Sequence, residues 1–344
     1  MAGFGKDCTF VRMIFITGAT GVLGSQLIFD LSKDEVAIRA LYRSDERKEK
    51  VAAFFRYFLS KEWETRWNRI EWVKGDVLET EDLLEFMKGC DSVYHCAAMV
   101  SFHRRDFNTM MHINRQGTAN VVNVALEYGL KLCHVSSTAA IGEGTGAVIS
   151  ETTPWKVTPK TTGYSHSKYA SEKEVWRGIE EGLDAVMVNP CVVIGAGNWS
   201  ESSLTLFKTL EKGSLFYPPG SNATVDARDV TEIMIRLMNS DISAERYLCI
   251  GSNQPFETLM TEISTQLGKK PPRFEAPKWM VALGRRVLSV LHWIFGKRSE
   301  ITRETSWALF SHRSYDNTKV REALNVQFRD LPEMVQFAIE NRQR

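Results

Sequence analysis

Short apolar runs that alternate with helical patterns are the feature of this sequence that most constrains its fold. From Met13 onward the strand-like runs are MIFITG, VAIRALYR, RIEWVKGD, SVYHCAA, KLCHVSS and DAVMVNPCVVIG. Strands that are apolar almost throughout are typical of a parallel sheet whose two faces are both covered by helices. The alternation therefore predicts an α/β fold with a doubly wound parallel sheet.

A glycine-rich turn follows the first apolar run. The stretch MIFITGATGVLGSQLI places Gly18, Gly21 and Gly24 three residues apart, between a strand and an amphipathic helix. Glycines at such a junction allow a tight turn and a close approach of the backbone to a pyrophosphate, and the helix start supplies free N–H groups. Because the triplet lies at the first strand-to-helix junction, it predicts a Rossmann-type dinucleotide site.

The alternation ends after Gly195, which suggests a division of the chain. We predict that residues 1–194 form the dinucleotide-binding Rossmann domain, to which residues 224–252 return. Residues 195–223 and 253–344 are predicted to form a smaller, mostly C-terminal substrate-binding region, with a helical tail from Pro277 to Arg313. Two arginines interrupt the apolar stretch at residues 279–298, so we expect an amphipathic helix that lines a pocket or a subunit contact and no transmembrane segment. Attachment of this helix to a membrane surface is the alternative.

Charge and cysteine content narrow the partners and the compartment. The 43 basic and 42 acidic residues leave a net charge of +1, which favours a small-molecule substrate over nucleic acid. The six cysteines form no CxxC pair, and no signal peptide is evident before the first strand. We therefore expect a protein of the reducing cytoplasm.

Two charged residues follow the second and third strands. Arg43 is placed to pair with a 2′-phosphate in a forked geometry, which favours NADP over NAD, although a solvated surface arginine is the alternative. Asp76 is placed either to accept a hydrogen bond from the adenine amino group or to cap the next helix. The predicted cofactor is therefore NADP, with NAD possible.

The stretch TTGYSHSKYASEK places Tyr164 and Lys168 one helical turn apart. When a hydride moves between a nicotinamide and a carbonyl/alcohol pair, another group must donate or remove a proton. A phenol, with an ordinary pKa of about 10, serves this purpose if its pKa falls, and a nearby lysine cation lowers it. The pair therefore predicts an acid/base catalyst.

Hydroxyl and amide side chains complete the predicted catalytic set. Ser137 follows the strand KLCHV at its carboxyl end, where open α/β sheets bind ligands, and is placed to hold a substrate oxygen near Tyr164. Its neighbours Ser136 and Thr138 remain alternatives. Asn114, in a helical segment, is placed to hold a water molecule beside the lysine. No metal site is predicted, because the histidines and cysteines lack the spacing of a zinc site.

These residues carry a resemblance to the extended short-chain dehydrogenases/reductases, a superfamily that includes the NAD-dependent epimerase/dehydratases. The chain is most similar to their dihydroflavonol reductase-like group, over roughly residues 13–250. The motifs that carry the resemblance are TGATGVLG, GDV, HCAA, NRQGTANV, SSTAAIG, ETTP, YSHSKYASE, NPCVVIG and VDARDV.

The resemblance implies NAD(P) binding at the glycine turn and catalysis by Ser137, Tyr164 and Lys168, with Asn114 in support. It also implies a homodimer. The full predicted cofactor site comprises Gly18, Thr20, Gly21, Val22, Leu23, Gly24, Arg43, Asp76, Val77, Ala97, Ala98, Lys168 and Pro190.

The predicted function is NAD(P)-dependent interconversion of a carbonyl and a secondary alcohol. Ala139 and Ala140 stand where the similar 4,6-dehydratases carry an acidic pair, which disfavours dehydration. An epimerase of sugar nucleotides is an alternative, weakened because the sequence NAT at residues 222–224 replaces a common basic residue. A non-catalytic NADP-sensing regulator is a third hypothesis. Apolar residues such as Leu204, Phe207 and Trp279 suggest a hydrophobic substrate, although packing in a core explains them equally well.

Overall fold

The apolar runs form one seven-stranded parallel sheet in the computed structural model, which describes residues 12–34, 36–142, 148–199, 202–283 and 302–343. The strand order is β3-β2-β1-β4-β5-β6-β11, and every neighbouring pair is parallel. The predicted doubly wound fold is confirmed. The strands of this sheet are β1 (Met13–Thr17), β2 (Ala37–Tyr42), β3 (Ile70–Lys74), β4 (Ser92–His95), β5 (Lys131–Val135), β6 (Ala185–Pro190) and β11 (Glu245–Cys249).

Helices cover both faces of the sheet, and this explains why its strands are apolar almost throughout. Alternate residues of a strand point to opposite faces. Ile14 and Ile16 therefore pack into one core with α1, α2 and α9, and Phe15 between them packs into the other core with α4, α6 and α7. The helices of this part of the fold are α1 (Val22–Leu31), α2 (Asp45–Leu59), α3 (Trp63–Trp67), α4 (Thr80–Met87), α5 (Phe107–Met111), α6 (Gly117–Tyr128), α7 (Gly163–Glu180) and α9 (Ala227–Met238).

The strand order reverses direction at β1, which lies between β2 and β4. Connections from β1 and β4 therefore leave the sheet toward opposite faces, and a crevice opens outside their carboxyl ends, where ligands of such sheets bind. The glycine turn after β1, residues 96–98 after β4 and residues 136–137 after β5 all lie at this edge.

A second layer follows β6. Its three-stranded sheet consists of β7 (Val192–Ile194), β10 (Ser221–Asp226) and β12 (Ser252–Pro255), with β10 parallel to β7 and antiparallel to β12. A separate apolar core joins three helices of this part of the chain, and it contains Leu204 and Phe207, so these two side chains pack in a core and do not line a substrate pocket. The remaining elements are β8 (Gly197–Asn198), α8 (Thr205–Glu211), β9 (Phe216–Tyr217), α10 (Phe256–Gln266), β13 (Phe274–Glu275), α11 (Arg303–Ala308), α12 (Thr318–Leu324), α13 (Leu331–Glu340) and β14 (Arg342–Gln343).

The C-terminal tail departs from its predicted helical form. Helix α11 ends at Ala308, and the backbone beyond it is extended, because His312 bridges Ser221 and Tyr315 bridges Ile149. The prediction of a helix up to Arg313 is therefore wrong for its last residues. Most of the amphipathic helix predicted at residues 279–298 lies outside the described residues. Of the helices that the structure describes, none has both the length and the apolar character needed to cross a bilayer.

Candidate active site

The glycine turn between β1 and α1 requires glycine for steric reasons. Gly18 has φ +66°, and a Cβ there would lie 2.5 Å from the backbone nitrogen of Ala97. A Cβ on Gly24 would overlap the carbonyl oxygen of Gly18. Gly21 is the N-cap of α1 and offers no side chain to cap the first N–H groups of the helix. The backbone cradle and the free N–H groups fit a dinucleotide pyrophosphate.

Arg43 and Asp76 lie beside each other where β2 and β3 end. The Arg43 guanidinium is 3.4 Å from the Asp76 carboxylate, and 59% of the arginine side chain is exposed. Exposed ion pairs of this kind contribute little stability, so Arg43 can exchange Asp76 for another partner at little cost in free energy. Asp76 accepts a hydrogen bond from the backbone N–H of Leu78, whereas Glu79 is the N-cap of α4. The alternative that Asp76 caps this helix is therefore wrong.

The other predicted cofactor residues divide between the crevice edge and the core. Thr20, Val22 and Leu23 are partly exposed around the glycine turn, and Ala97 and Ala98 follow β4. Pro190 ends β6. The Val77 side chain is buried beside Gly117, and its carbonyl oxygen accepts a hydrogen bond from Asn120, so the structure gives Val77 a packing role.

Ser137 and Tyr164 meet at the carboxyl end of β5. Ser137 begins a short 3-10 turn, Thr138–Ala140, and its hydroxyl accepts a hydrogen bond from the Ala139 N–H at 3.1 Å. The Tyr164 phenol lies near enough to the Ser137 side chain for that hydroxyl to lower the phenol pKa. Thr138 instead lines a small cavity together with Tyr315, and the buried Ser136 hydroxyl has no partner among the described residues. Of the three predicted hydroxyls, the structure brings Ser137 to the phenol.

The pKa of Tyr164 is raised above its ordinary value, because burial disfavours the phenolate. The neighbouring Ser137 hydroxyl acts in the opposite direction but has the smaller effect. This corrects the expectation that the phenol pKa falls. The Lys168 ammonium points to the Val135 carbonyl oxygen, 2.8 Å away. In this state the phenol is neutral at pH 7 and able to donate a proton.

Lys168 is a buried cation beneath the site. Only 2% of the residue is exposed, and desolvation lowers the pKa of its ammonium to about 8. The carboxylate of Glu172 acts against this shift, as does the Cys96 thiol when it is ionised. The amine therefore loses its proton at a pH much closer to neutrality than a surface lysine does.

Asn114 connects the loop after β4 to helix α7. It lies in a π-helical turn, His112–Gln116, and is almost fully buried. Its amide exchanges two hydrogen bonds with the backbone of Met99, at 2.7 and 2.9 Å, and donates a third to the Ser167 hydroxyl. Asn114 thus holds Ser167, the residue directly before Lys168. The predicted water between Asn114 and the lysine stays a prediction.

His95 is a core residue. Its two ring nitrogens lie 2.7 and 3.0 Å from the hydroxyls of Thr17 and Thr118, and burial lowers its pKa to about 3. Within the described ranges, no three His, Cys, Asp or Glu side chains are grouped as metal ligands.

Several residues around the site were not predicted from the sequence. The Phe102 ring lies 5.7 Å from the Tyr164 ring. Trp155, Arg313 and Tyr315 line a small cavity together with Thr138. Arg313 and Tyr315 reach it from a segment far along the chain, so no local spacing could have revealed them. For Tyr315 the sequence does offer a weak signal, since it lies in the SYDNTKVREALNV stretch that resembles the family loosely.

The parallel sheet, its switch point and its glycine turn define the protein as a Rossmann-type α/β protein. The model of the NAD dependent epimerase/dehydratase family matches residues 14–249, and the chain belongs to that family. Membership confirms the predicted resemblance and indicates an enzyme of the extended short-chain dehydrogenase/reductase type.

Curated relatives and solved structures agree with this assignment. A dihydroflavonol 4-reductase-like protein of Synechocystis sp. is 27% identical over 274 residues, 77% of this chain and 76% of the relative. Cinnamoyl-CoA reductase 1 of Petunia hybrida is 28% identical, with coverages of 70% and 73%. The crystal structure of gox2253 is 26% identical with a TM-score of 0.77, over 96% of this chain and 97% of that one. The dTDP-glucose 4,6-dehydratase DesIV of Streptomyces venezuelae, 17% identical with a TM-score of 0.71 over 96% and 98%, shares the fold.

Replacing Lys168 by methionine should change how stability depends on pH. The Lys168 pKa is lowered from 10.5 to about 8, so between these pH values the unfolded chain binds more protons than the folded one. Wild-type stability therefore rises with pH across this window, by up to roughly 3 kcal/mol for this group. We expect the stability of Lys168→Met relative to wild type to fall by a similar amount between pH 7.5 and pH 10, measured by urea unfolding.

Lys173→Met, an exposed position on the same helix, is the matched control. Its stability relative to wild type should not depend on pH in this window. A Lys168→Met difference that is constant from pH 7.5 to pH 10 would show that the ammonium is not desolvated.

Proposed function

We propose that this protein is an NAD(P)-dependent oxidoreductase that interconverts a carbonyl group and a secondary alcohol. The observation that carries the proposal is the placement of the Tyr164 phenol next to the Ser137 side chain at the carboxyl end of β5, with the Lys168 cation buried one helical turn away. A proton donor and a hydroxyl therefore lie together at the sheet edge that also carries the glycine turn.

Each side chain has a distinct role in the proposed reaction. A bound nicotinamide supplies the hydride for reduction and accepts it in oxidation. The Ser137 hydroxyl donates a hydrogen bond to the substrate oxygen and holds it near the phenol. In reduction, neutral Tyr164 donates its proton to that oxygen as negative charge develops there, and the Lys168 cation stabilises the resulting phenolate. A carbonyl, a hydride and a proton together give the alcohol.

The names of several relatives support carbonyl reduction. Besides the two reductases described above, a farnesyl-dihydroquinoline-oxide ketoreductase of Stigmatella aurantiaca is 29% identical over 184 residues. Phe102, whose ring packs against Tyr164, is 37% exposed, and Val100, two residues earlier in the same segment, is 49% exposed. We therefore propose a carbonyl substrate with a hydrophobic body.

Replacing Tyr164 by phenylalanine tests the proposed acid directly. The variant keeps the ring but removes the proton, so kcat should fall by roughly 10²- to 10⁴-fold, the usual contribution of a general acid. The dissociation constant of the cofactor should change by less than about threefold, because hydride supply and proton donation use different groups. Steady-state kinetics and a cofactor titration provide both values.

Tyr57→Phe removes a phenolic hydroxyl at an exposed position on α2 and serves as the control. We expect its kcat and its cofactor dissociation constant to equal those of the wild type. Undiminished turnover by Tyr164→Phe would refute the assignment.

We also propose a preference for NADP over NAD. Its support is the position of Arg43, an exposed guanidinium beyond β2 whose partner is the solvated carboxylate of Asp76. A fork of N–H donors at this place suits a ribose 2′-phosphate.

Arg43→Ala should weaken NADP(H) binding roughly ten- to hundredfold, the range for lost charge-assisted hydrogen bonds, and leave NAD(H) binding nearly unchanged. Thermal-shift titrations with both cofactors measure the difference. Arg47→Ala, one turn into α2 and exposed, should not alter the preference. Equal stabilisation of the wild type by NADP(H) and NAD(H) would contradict the proposal.

An epimerase is the second candidate, and Arg313 is the observation that favours it. Its side chain lines the cavity beside Thr138, where a cation suits an anionic group of a nucleotide-linked substrate. Cofactor retained through purification, with no net consumption of NADPH, would favour this function over the reductase. A non-catalytic regulator fits less well, because Tyr164, Ser137 and Lys168 are all present and placed together.

A further inference from the structure

Three residues of the family-like motifs have no role in the proposed reaction. They are Glu151 of ETTP, Glu172 of YSHSKYASE and Asn189 of NPCVVIG. In the structure they join Arg246 of β11 in one hydrogen-bonded network directly behind the candidate site. We call these four residues the Glu172 network.

Glu172 is the centre of the network. It is 1% exposed, and one carboxylate oxygen accepts a hydrogen bond from the Arg246 guanidinium at 3.0 Å. Its other oxygen accepts a hydrogen bond from the Asn189 amide. The same Asn189 amide donates to the backbone carbonyl of Ser137 at 3.0 Å. The carboxylate is therefore linked to Ser137 through a single side chain.

The far side of the network is anchored in the sheet. Arg246 donates from Nε to the Glu151 carbonyl oxygen at 3.1 Å, and the Glu151 carboxylate accepts the Leu248 N–H at 2.8 Å. Arg246 and Leu248, which donate these two hydrogen bonds to Glu151, both lie on β11, the edge strand beside β6. This anchoring holds the carboxylate of Glu172 in one place.

Tyr164, Lys168 and Glu172 form one stripe of α7, because they are four residues apart. Two members of the stripe hold the end of β5. Lys168 bonds the carbonyl of Val135 directly, and Glu172 holds the carbonyl of Ser137 through Asn189. The backbone from Val135 to Ser137 is therefore clamped at both ends from the helix that carries Tyr164.

We propose that Glu172 is a positioning residue, which keeps the Ser137 hydroxyl in register with Tyr164 and supports the charge of Lys168. This inference rests on the proposed function. It assigns to Glu172 no contact with substrate or cofactor; Glu172 acts through Asn189 and Lys168.

The proposed support of the Lys168 charge by Glu172 depends on which other charged groups face Lys168. Cys96, His95 and His134 lie nearest from the neighbouring strands, and burial keeps all three neutral near pH 7 by raising the thiol pKa and lowering the imidazole pKa values. Tyr164, on its own helix, is neutral too. Glu172 is then the anion that favours the ammonium, and Arg246 behind it is a cation. Removing the carboxylate charge lowers the Lys168 pKa.

Glu172→Gln should lower kcat by roughly tenfold or more, as expected when a catalytic group is slightly misplaced, with KM and cofactor affinity nearly unchanged. The alkaline limb of the pH profile should move to lower pH. A titration of the Lys168 amine by ¹⁵N NMR, which needs no turnover, should show the same downward shift. Glu174→Gln, on the same helix and ion-paired with Arg115 and Arg177, is the control and should show neither change.

Asn189→Ala separates the positioning of Ser137 from the support of the Lys168 charge. It also tests the inference if Glu172→Gln does not fold. It cuts the link to Ser137 but leaves the ion pair of Glu172 and Arg246, so kcat should fall while the Lys168 titration stays near that of the wild type. Wild-type kcat in Asn189→Ala, or an unshifted Lys168 titration in Glu172→Gln, would overturn the inference. Failure of the proposed function has a different signature, since Tyr164→Phe would then remain active.

Discussion

The burial of Lys168, with Tyr164 partly buried one helical turn before it, is the constraint on which the candidate site depends. A buried ammonium persists only when nearby groups compensate for its lost hydration. Here the Val135 carbonyl accepts its hydrogen bond, and the Glu172 carboxylate lies one turn further along the same helix. The same burial keeps the phenol neutral. A protonated acid and a buried positive charge therefore lie on one face of α7.

The fold produces this arrangement through adjacent elements of one sheet layer. The reversal of strand order at β1 opens the crevice, and close packing of Gly18 against Ala97 gives the crevice a backbone wall. Helix α7 then crosses the end of β5 with one stripe of side chains. Because the stripe bonds both Val135 and, through Asn189, Ser137, the geometry of the acid and of the hydroxyl beside it is set by the same helix.

The spacing of residues along the sequence predicted which residues form much of this site, but it did not predict their pKa shifts. The sheet, the glycine turn and the Tyr164–Lys168 pair follow from short-range patterns, which a sequence displays directly. The pKa of Tyr164 was expected to fall and is raised, because its direction depends on burial by distant parts of the chain. Arg246 and Arg313 escaped prediction for the same reason, and the tail beyond Ala308 is extended because it pairs with Ser221 and Ile149.

The most direct test of this account is the ionisation of the Tyr164 phenol in the cofactor-free protein. Tyrosine labelled with ¹³C at the ring carbon that bears the hydroxyl reports the phenolate by NMR, and loss of one signal in Tyr164→Phe assigns it. The account predicts a Tyr164 phenol that remains protonated at and above pH 10, where an exposed tyrosine is half ionised. A phenol already ionised near pH 7 would contradict the claim that burial keeps this residue poised as a proton donor.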